Sequence, residues 1–431
     1  MSARNRELFG LIPAALLVTG GFTAVLLTRV SNVHDATLTY GGVFLGCCLF
    51  AHLFIRWRLP NADPYLFPLV AILASIGLVE LYRISESLAI KQAGWFALGL
   101  VFFCLTIVFL RDYRTLERYR YTIAAGSIGL LLLPRLAGQA TNGAYLAIHV
   151  GSFSFQPAEF AKIGVIIFLA SYLRDVREVL VQGRLPRISL KHMGPLLVVW
   201  GGAMLMLIFI KDLGSSLMFF GGFLALLYVA TGRLSLVAAG TALFGLGAWF
   251  FSNHIQHVHS RVEIWLHPFR PDLVENKAYQ IAQGLFAQAD GGLFGKGFSQ
   301  SLLELPGGHT ILPAPHTDLI YAVITDETGL FGACALIIAY LLFVRRGFKT
   351  ALLSGDGFGK LLATGLTAVF ALQVFVIVGG VTRVIPLTGV TLPFISYGGS
   401  SIIANFVLLA LLLVVSDSAR QRQLMTGGVV P

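Results

Sequence analysis

Twelve apolar runs, each about as long as a helix needs to cross a bilayer, leave this chain little room for anything else. They lie near residues 8–28, 39–55, 65–82, 92–110, 119–134, 157–173, 193–210, 214–231, 234–252, 317–344, 360–381 and 398–416. A tilted helix spans hydrocarbon with about 17–25 such residues. In lipid the backbone must satisfy its own hydrogen bonds, so runs of this length read as helices. No stretch longer than about 60 residues lacks one, which excludes a large soluble domain. Composition agrees. Of 431 residues 56% are hydrophobic and 12% charged, against about 25% charged in a soluble domain. The expected fold is an all-α polytopic membrane protein.

The net charge of +10 reflects topology rather than nucleic-acid binding. With the N-terminus inside, inner segments carry twenty of the 31 Lys and Arg residues and outer segments ten, with Lys162 inside a span. Basic residues gather in cytoplasmic loops, so both termini are expected in the cytoplasm. The first apolar run is long and lacks a cleavage site, which reads as a retained helix rather than a signal peptide. Cys47, Cys48, Cys104 and Cys334 all lie in apolar runs and show no disulfide or metal spacing. One outer segment, residues 253–316, is far longer than the rest. Its amphipathic part around Ala278–Gln288 is expected to lie on the outer membrane surface. No internal repeat supports an inverted-repeat transporter.

Ionisable groups at membrane depth are functional candidates by default. LPAPHTD, residues 312–318, places Asp318 at the head of a helix, where Thr317 or Asp318 could equally be an N-cap. Asp326 and Glu327 lie deeper, beyond the reach of capping, and call for a polar cavity or cationic partners. In FQPAEFAK, Glu159 and Lys162 stand three apart on one helix face, as a structural ion pair or as ligand contacts. In KDLGSS, Asp212 can cap the next helix, and Lys211 beside it can meet an anionic head group. In PLTGVTLPFISYGGSS, prolines and glycines break the helical pattern. Amides near Gly398 and Gly399 are candidates for phosphate oxygens, with a close-packed re-entrant turn as the competing reading. These features are compatible with a transporter or an intramembrane enzyme.

FQPAEFAK, DLGSS, LPAPHTD with DETGLFG, and LPFISYGGSS occur in that order, with the long loop between the second and third. Together, over residues 65–417, they resemble the SEDS family of bacterial cell-wall proteins (shape, elongation, division and sporulation). The resemblance implies a ten-helix core, residues 61–431, with a large extracytoplasmic loop. Residues 1–60 then form an additional N-terminal hairpin like that of actinobacterial members. It implies a peptidoglycan glycosyltransferase of the bacterial cytoplasmic membrane. Such an enzyme polymerises lipid II at the outer face and works with a class B penicillin-binding protein among membrane lipids.

The family's essential acid falls on Asp318, with Asp326 and Glu327 as acids of the cavity beneath. Glu159, Lys162, Lys211, Asp212, Arg261, His316, Ser396, Gly398, Gly399 and Ser400 are expected around the substrate. A divalent cation, Mg or Mn, is a candidate cofactor, with Asp318 its ligand if any. Several positions depart from the family pattern: Lys211 replaces Pro, Ala314 replaces Glu, Pro315 precedes the His, and Ala147 replaces Trp. His267 stands where an Asp is common. Thr388, where division-type members carry Lys, and the short C-terminal tail lean towards an elongation role. The rival readings are a lipid II flippase using the deeper acids and a non-catalytic scaffold for the penicillin-binding protein.

Overall fold

Every expected apolar run coincides with a helix in the computed structural model, which describes residues 2–28, 36–138, 145–150, 153–182, 190–210, 212–301, 303 and 311–425. Helices α1 (Ala3–Gly10), α2 (Ile12–Thr28) and α3 (Ala36–Arg58) precede α4 (Leu66–Ile84) and α5 (Glu86–Phe109). One turn, α6 (Thr115–Arg118), leads into α7 (Arg120–Ala137). A two-stranded antiparallel hairpin follows, β1 (Ile148–Val150) and β2 (Phe153–Phe155), with Ile148 opposite Phe155. Then come α8 (Pro157–Gln182), α9 (Leu190–Ile210), α10 (Leu213–Thr231) and α11 (Leu234–His254). The long loop holds α12 (Gln256–Leu266), α13 (Pro271–Val274) and α14 (Tyr279–Gly291). The chain closes with α15 (Ile320–Leu353), α16 (Gly357–Val381) and α17 (Gly399–Met425). Among the described residues, nine helices are long and apolar enough to cross a membrane.

Helices that are apolar all round belong in the centre of a bundle or against lipid. Both cases occur here. The most apolar window of α17 is 94% buried, so this helix forms the axis of the bundle. The window of α11 is 0% buried, and its Leu243, Leu246 and Trp249 face outward. In a membrane such a face meets acyl chains and carries no solvation penalty. The N-terminal helices α1–α3 dock on the outside of α4 and α5.

At one end the bundle is tied by arginines. Asp63 accepts from Arg346 and Arg420, joining α15 and α17 to the turn before α4. Asp356 caps α16 through the Gly359 amide at 2.6 Å and also meets Tyr113 and Arg422. Ion pairs carry α8 past its apolar run, where Arg174 meets Glu117 and Asp175. Removing one partner from the buried Asp63 cluster leaves an uncompensated charge, so that cluster holds one register of the bundle. The opposite end carries the long loop and Asp318.

Candidate active site

Between α16 and α17 the chain is not helical from residue 382 to 398, yet Leu392, Phe394, Ile395 and Ser396 are buried. Unwound backbone inside a membrane bundle is tolerated only when its polar groups find partners. Each carbonyl named here is met by a donor side chain from a different element. Gln92 of α5 donates to Ser396 O at 3.0 Å and Gln373 of α16 to Thr391 O at 2.9 Å. Tyr340 of α15 donates to Pro393 O at 2.7 Å, and Arg261 of α12 donates to Leu387 O. The segment is therefore a rigid floor.

That arrangement corrects several sequence expectations. The Gly398 amide donates to Gln92 Oε1 at 3.3 Å, and a Cβ on Gly399 would run into the Trp95 ring. Both glycines serve close packing, the competing reading of the sequence, and the Gly398 amide already has a partner. Ser396 Oγ donates to Thr317 O and accepts from Leu392 N. Ser400 Oγ accepts from Gln156 N at 3.0 Å. Glu159 and Lys162 form the structural alternative, a buried pair at 2.6 Å, with Lys162 Nζ also donating to Gln373 Oε1 at 2.7 Å. Through Gln373, which donates to Thr391 O, this pair braces the floor. Lys211 lies outside the described residues.

The deep acids have a different explanation from the expected cavity. Helix α15 kinks at Gly329, whose φ is 66° and ψ is −167°. A kink there withdraws the amides of Leu330 and Phe331 from the helical ladder. The glycine-rich run of the long loop replaces the lost rungs. Leu330 N donates to Gly292 O and Phe331 N to Leu293 O, while Lys296 N and Gly297 N donate to Asp326 O and Glu327 O. This requires close backbone approach: a Cβ on Gly295 would sit 2.1 Å from Glu327 O. The side chains finish the joint. Glu327 pairs with Arg83 at 2.6 Å and accepts from Ser299 N at 3.0 Å, and Asp326 pairs with Lys296 at 3.4 Å. Both acids are buried, at 2% and 1% exposure. They have the cationic partners that the sequence called for.

The joint fixes α14 against α15. Gly284 of α14 packs on Leu319, and Ile281 and Ala282 are buried. Gln288 donates to Val381 O at 3.0 Å, adding a tie to α16.

Asp318 lies in the space framed by these pieces. The chain enters α15 through a turn closed on Ala314 O by the amides of Thr317 and Leu319. Leu319 occupies the cap position, with no side-chain cap, so neither Thr317 nor Asp318 is the N-cap. Asp318 is half-buried and has no ion pair within 4.0 Å among the described residues. The Gln280 side chain of α14 lies near it. Burial lifts its carboxyl to about 6, against the pull of the Arg261 guanidinium and the neighbouring Gln280 amide. Behind Arg261 stands Asp212, which caps α10 through Ser215 N at 2.9 Å. Burial raises the Asp212 carboxyl, and the charge of Glu159 adds to the rise. Asp318 Oδ2 is 3.6 Å from where a Cβ on Gly389 would sit. Gly389 is exposed and has φ +74°, so glycine keeps the mouth beside the carboxylate open. The His316 carbonyl accepts from Tyr397 N at 2.8 Å, and burial keeps its ring neutral.

Asp318, Arg261, Asp212 and His316 are thus brought to one end of the bundle. Glu159, Lys162, Ser396, Gly398, Gly399 and Ser400 belong to the floor and its supports. Among the described residues no group of three or more metal-ligating side chains gathers at Asp318, so the protein alone builds no divalent-ion cage there. Sequence reasoning missed Gln280, Gln92, Gln373 and Gly389. A signal existed for two of them: Gln92 and Gln373 are amides inside apolar helices, where a side chain must have a partner.

Comparison with known proteins agrees with this geometry. The family model for the cell cycle proteins FtsW, RodA and SpoVE matches residues 63–421. The chain is 39% identical to the peptidoglycan glycosyltransferase RodA of Mycobacterium tuberculosis, over 97% of this chain and 91% of that protein. It is 31% identical to the stage V sporulation protein E of Bacillus subtilis, over 84% of this chain and 98% of that protein. A chain solved in a peptidoglycan synthase complex superposes with a TM-score of 0.67 at 27% identity, covering 83% of this chain and 98% of that one. The Thermus thermophilus rod shape determining protein RodA superposes at 0.59 with 26% identity, covering 82% and 96%. A bundle tied in this way, carrying these four motifs in order, belongs to the FtsW, RodA and SpoVE family of cell cycle proteins, and within it to the actinobacterial RodA type.

Proposed function

We propose that the chain is a peptidoglycan glycosyltransferase that polymerises lipid II, with Asp318 as general base. One observation carries the reading. Asp318 is the half-buried carboxylate at the open end of the bundle, and its pKa of about 6 leaves it ionised yet basic near neutral pH. An acceptor sugar hydroxyl attacking the lipid-linked sugar must lose its proton, and Asp318 takes it. The leaving diphosphate needs positive charge more than it needs an acid. Arg261 supplies that charge, because Lys162 is consumed by Glu159 and Gln373. Direct displacement inverts an α-linked donor into a β-1,4 strand.

The charge bias of the loops assigns the arginine-rich end to the cytoplasm and Asp318 to the outer face of the cytoplasmic membrane. Lipid II reaches it there within the bilayer, and a class B penicillin-binding protein crosslinks the strands. Helices α1–α3 are an addition to a ten-helix core. The flippase alternative relied on free acids deep in the bundle. Asp326 and Glu327 are both engaged, which favours the enzyme.

The test is polymerisation of purified lipid II by full-length protein with its penicillin-binding partner. Wild type should make glycan strands. Asp318→Asn should insert normally and lose activity by roughly 100-fold or more. Wild-type kcat/KM should fall as the pH drops through about 6, where the base becomes protonated. Substantial polymerisation by Asp318→Asn would rule out the general-base role.

A further inference from the structure

We infer that Arg383 is a positioning residue for Arg261: from the end of α16 its guanidinium grips the last turn of α12 and so fixes where Arg261 presents its charge at the mouth beside Asp318. This rests on Arg261 stabilising the leaving diphosphate.

Helix α16 ends in a backbone motif that usually takes glycine. Thr382 is its cap, Arg383 N donates to Gly380 O at 3.3 Å and Val384 N to Gly379 O at 2.7 Å. Arg383 stands at the glycine position with φ +61°, the left-handed region that strains any residue with a Cβ. A side chain persists there only where its surroundings hold it. Arg383 is held by α12. Its Nε donates to Trp265 O at 2.9 Å and its Nη2 to Leu266 O at 2.8 Å. Carbonyls of a last helical turn lack partners within the helix, and a cation at that end also meets the helix dipole favourably. Trp265 Nε1 returns a bond to Arg383 O at 3.1 Å. Arg383 therefore takes part in every one of these bonds between the two helix ends.

The grip reaches Arg261 through the helix. Arg261 and Trp265 are four residues apart and share a face of α12. Both meet the same stretch of the floor, Trp265 at Arg383 O and Arg261 at Leu387 O. Leu387 is two residues before Gly389, where a Cβ would sit 3.6 Å from Asp318 Oδ2. Helix α12 thus lies along residues 383–387, with Arg383 at one end and Arg261 at the end nearer Asp318. Behind that end stands the head of α10, where a Cβ on Gly214 would meet Thr388 Cβ at 3.1 Å. Other supports of α12 are less directional. Ile264 packs on the small apolar cluster of Leu273, Ala278 and Ile281. Upstream, α12 follows α11, whose apolar window is unburied.

The test uses full-length protein with its penicillin-binding partner and compares wild type, Arg383→Gly, Arg261→Gln and the double variant in lipid II polymerisation. Glycine suits the backbone at this position, so Arg383→Gly removes the grip without straining the turn, and Tm should stay near that of wild type. Its kcat should fall about tenfold with KM for lipid II within about twofold. Arg261→Gln should lower kcat by about 100-fold. If Arg383 acts through Arg261, adding Arg383→Gly to Arg261→Gln should lower kcat no further. Trp265→Phe keeps a ring and removes the indole donor; it should act in the same direction by a smaller factor, and it reads the same point if the glycine variant fails to fold. A wild-type kcat in Arg383→Gly and Trp265→Phe, with Arg261→Gln slow, overturns the inference alone. A merely structural role would multiply the two losses in the double variant, and that outcome also overturns it. A wild-type kcat in Arg261→Gln overturns the role of Arg261 and the inference with it.

Discussion

Asp318 and the Asp326–Glu327 pair lie eight residues apart on one stretch of chain and meet opposite fates. The pair is buried, ion-paired and built into a backbone joint, with Arg83 and Lys296 supplying the charge. Asp318 is half-exposed, without a contact ion pair among the described residues, beside a guanidinium that it shares with Asp212. The same carboxylate chemistry thus serves structure where a cation is in contact and reactivity where none is. A carboxylate neutralised by a direct ion pair is a poor base. One left partly desolvated is a better base, and its folded state bears the cost.

That contrast can be broken by substitution. The largest effect is expected at the joint. Glu327→Ala leaves the Arg83 guanidinium short of its carboxylate and should destabilise the protein by about 3–5 kcal/mol. Detergent-solubilised protein should show a large fall in Tm. An unchanged Tm would mean that the pair does not hold the kink.

A smaller effect of opposite sign is expected at Asp318. Its folded pKa is raised, so the folded state binds the proton more tightly than the unfolded chain does. The stabilising contribution of that proton is fully present below the unfolded value near 4 and lost as pH rises through about 6. Above that, Asp318→Asn should be more stable than wild type by about 1–3 kcal/mol, and the gain should vanish near pH 4. Tm measured against pH checks the sign, and an asparagine variant less stable than wild type at pH 8 would refute the desolvation argument.

The smallest effect is expected at Lys296, which is partly exposed and also meets Asp290. Lys296→Met should cost less than about 1 kcal/mol, because the backbone rungs to Asp326 and Glu327 remain. A loss as large as that from Glu327→Ala would shift the weight of the joint from Arg83 to Lys296.

Much of this molecule was legible in its residues, and the limit of legibility has a physical cause. Helix positions follow from local composition, since an apolar run in lipid has no other way to satisfy its backbone. The boundaries ran long wherever paired charges extended a helix, as at Arg174 in α8. The packing of residues 278–288 on α15 was not readable, because amphipathicity does not say whether lipid or protein takes the apolar face. Glu159 with Lys162 was readable as a pair from its spacing. Its third partner, Gln373, lies 211 residues from Lys162 and was not readable.

By itself the sequence determined that this is a helical membrane protein, and its motifs in order pointed to the family and to Asp318. Only the tertiary structure decided which acids are structural. Whether a carboxylate is neutralised depends on cations brought from distant helices, Arg83 from α4 for Glu327 and Arg261 from α12 for Asp318. Spacing along one helix fixes which residues share a face. The charge and the donors waiting across that face are set by how the helices pack.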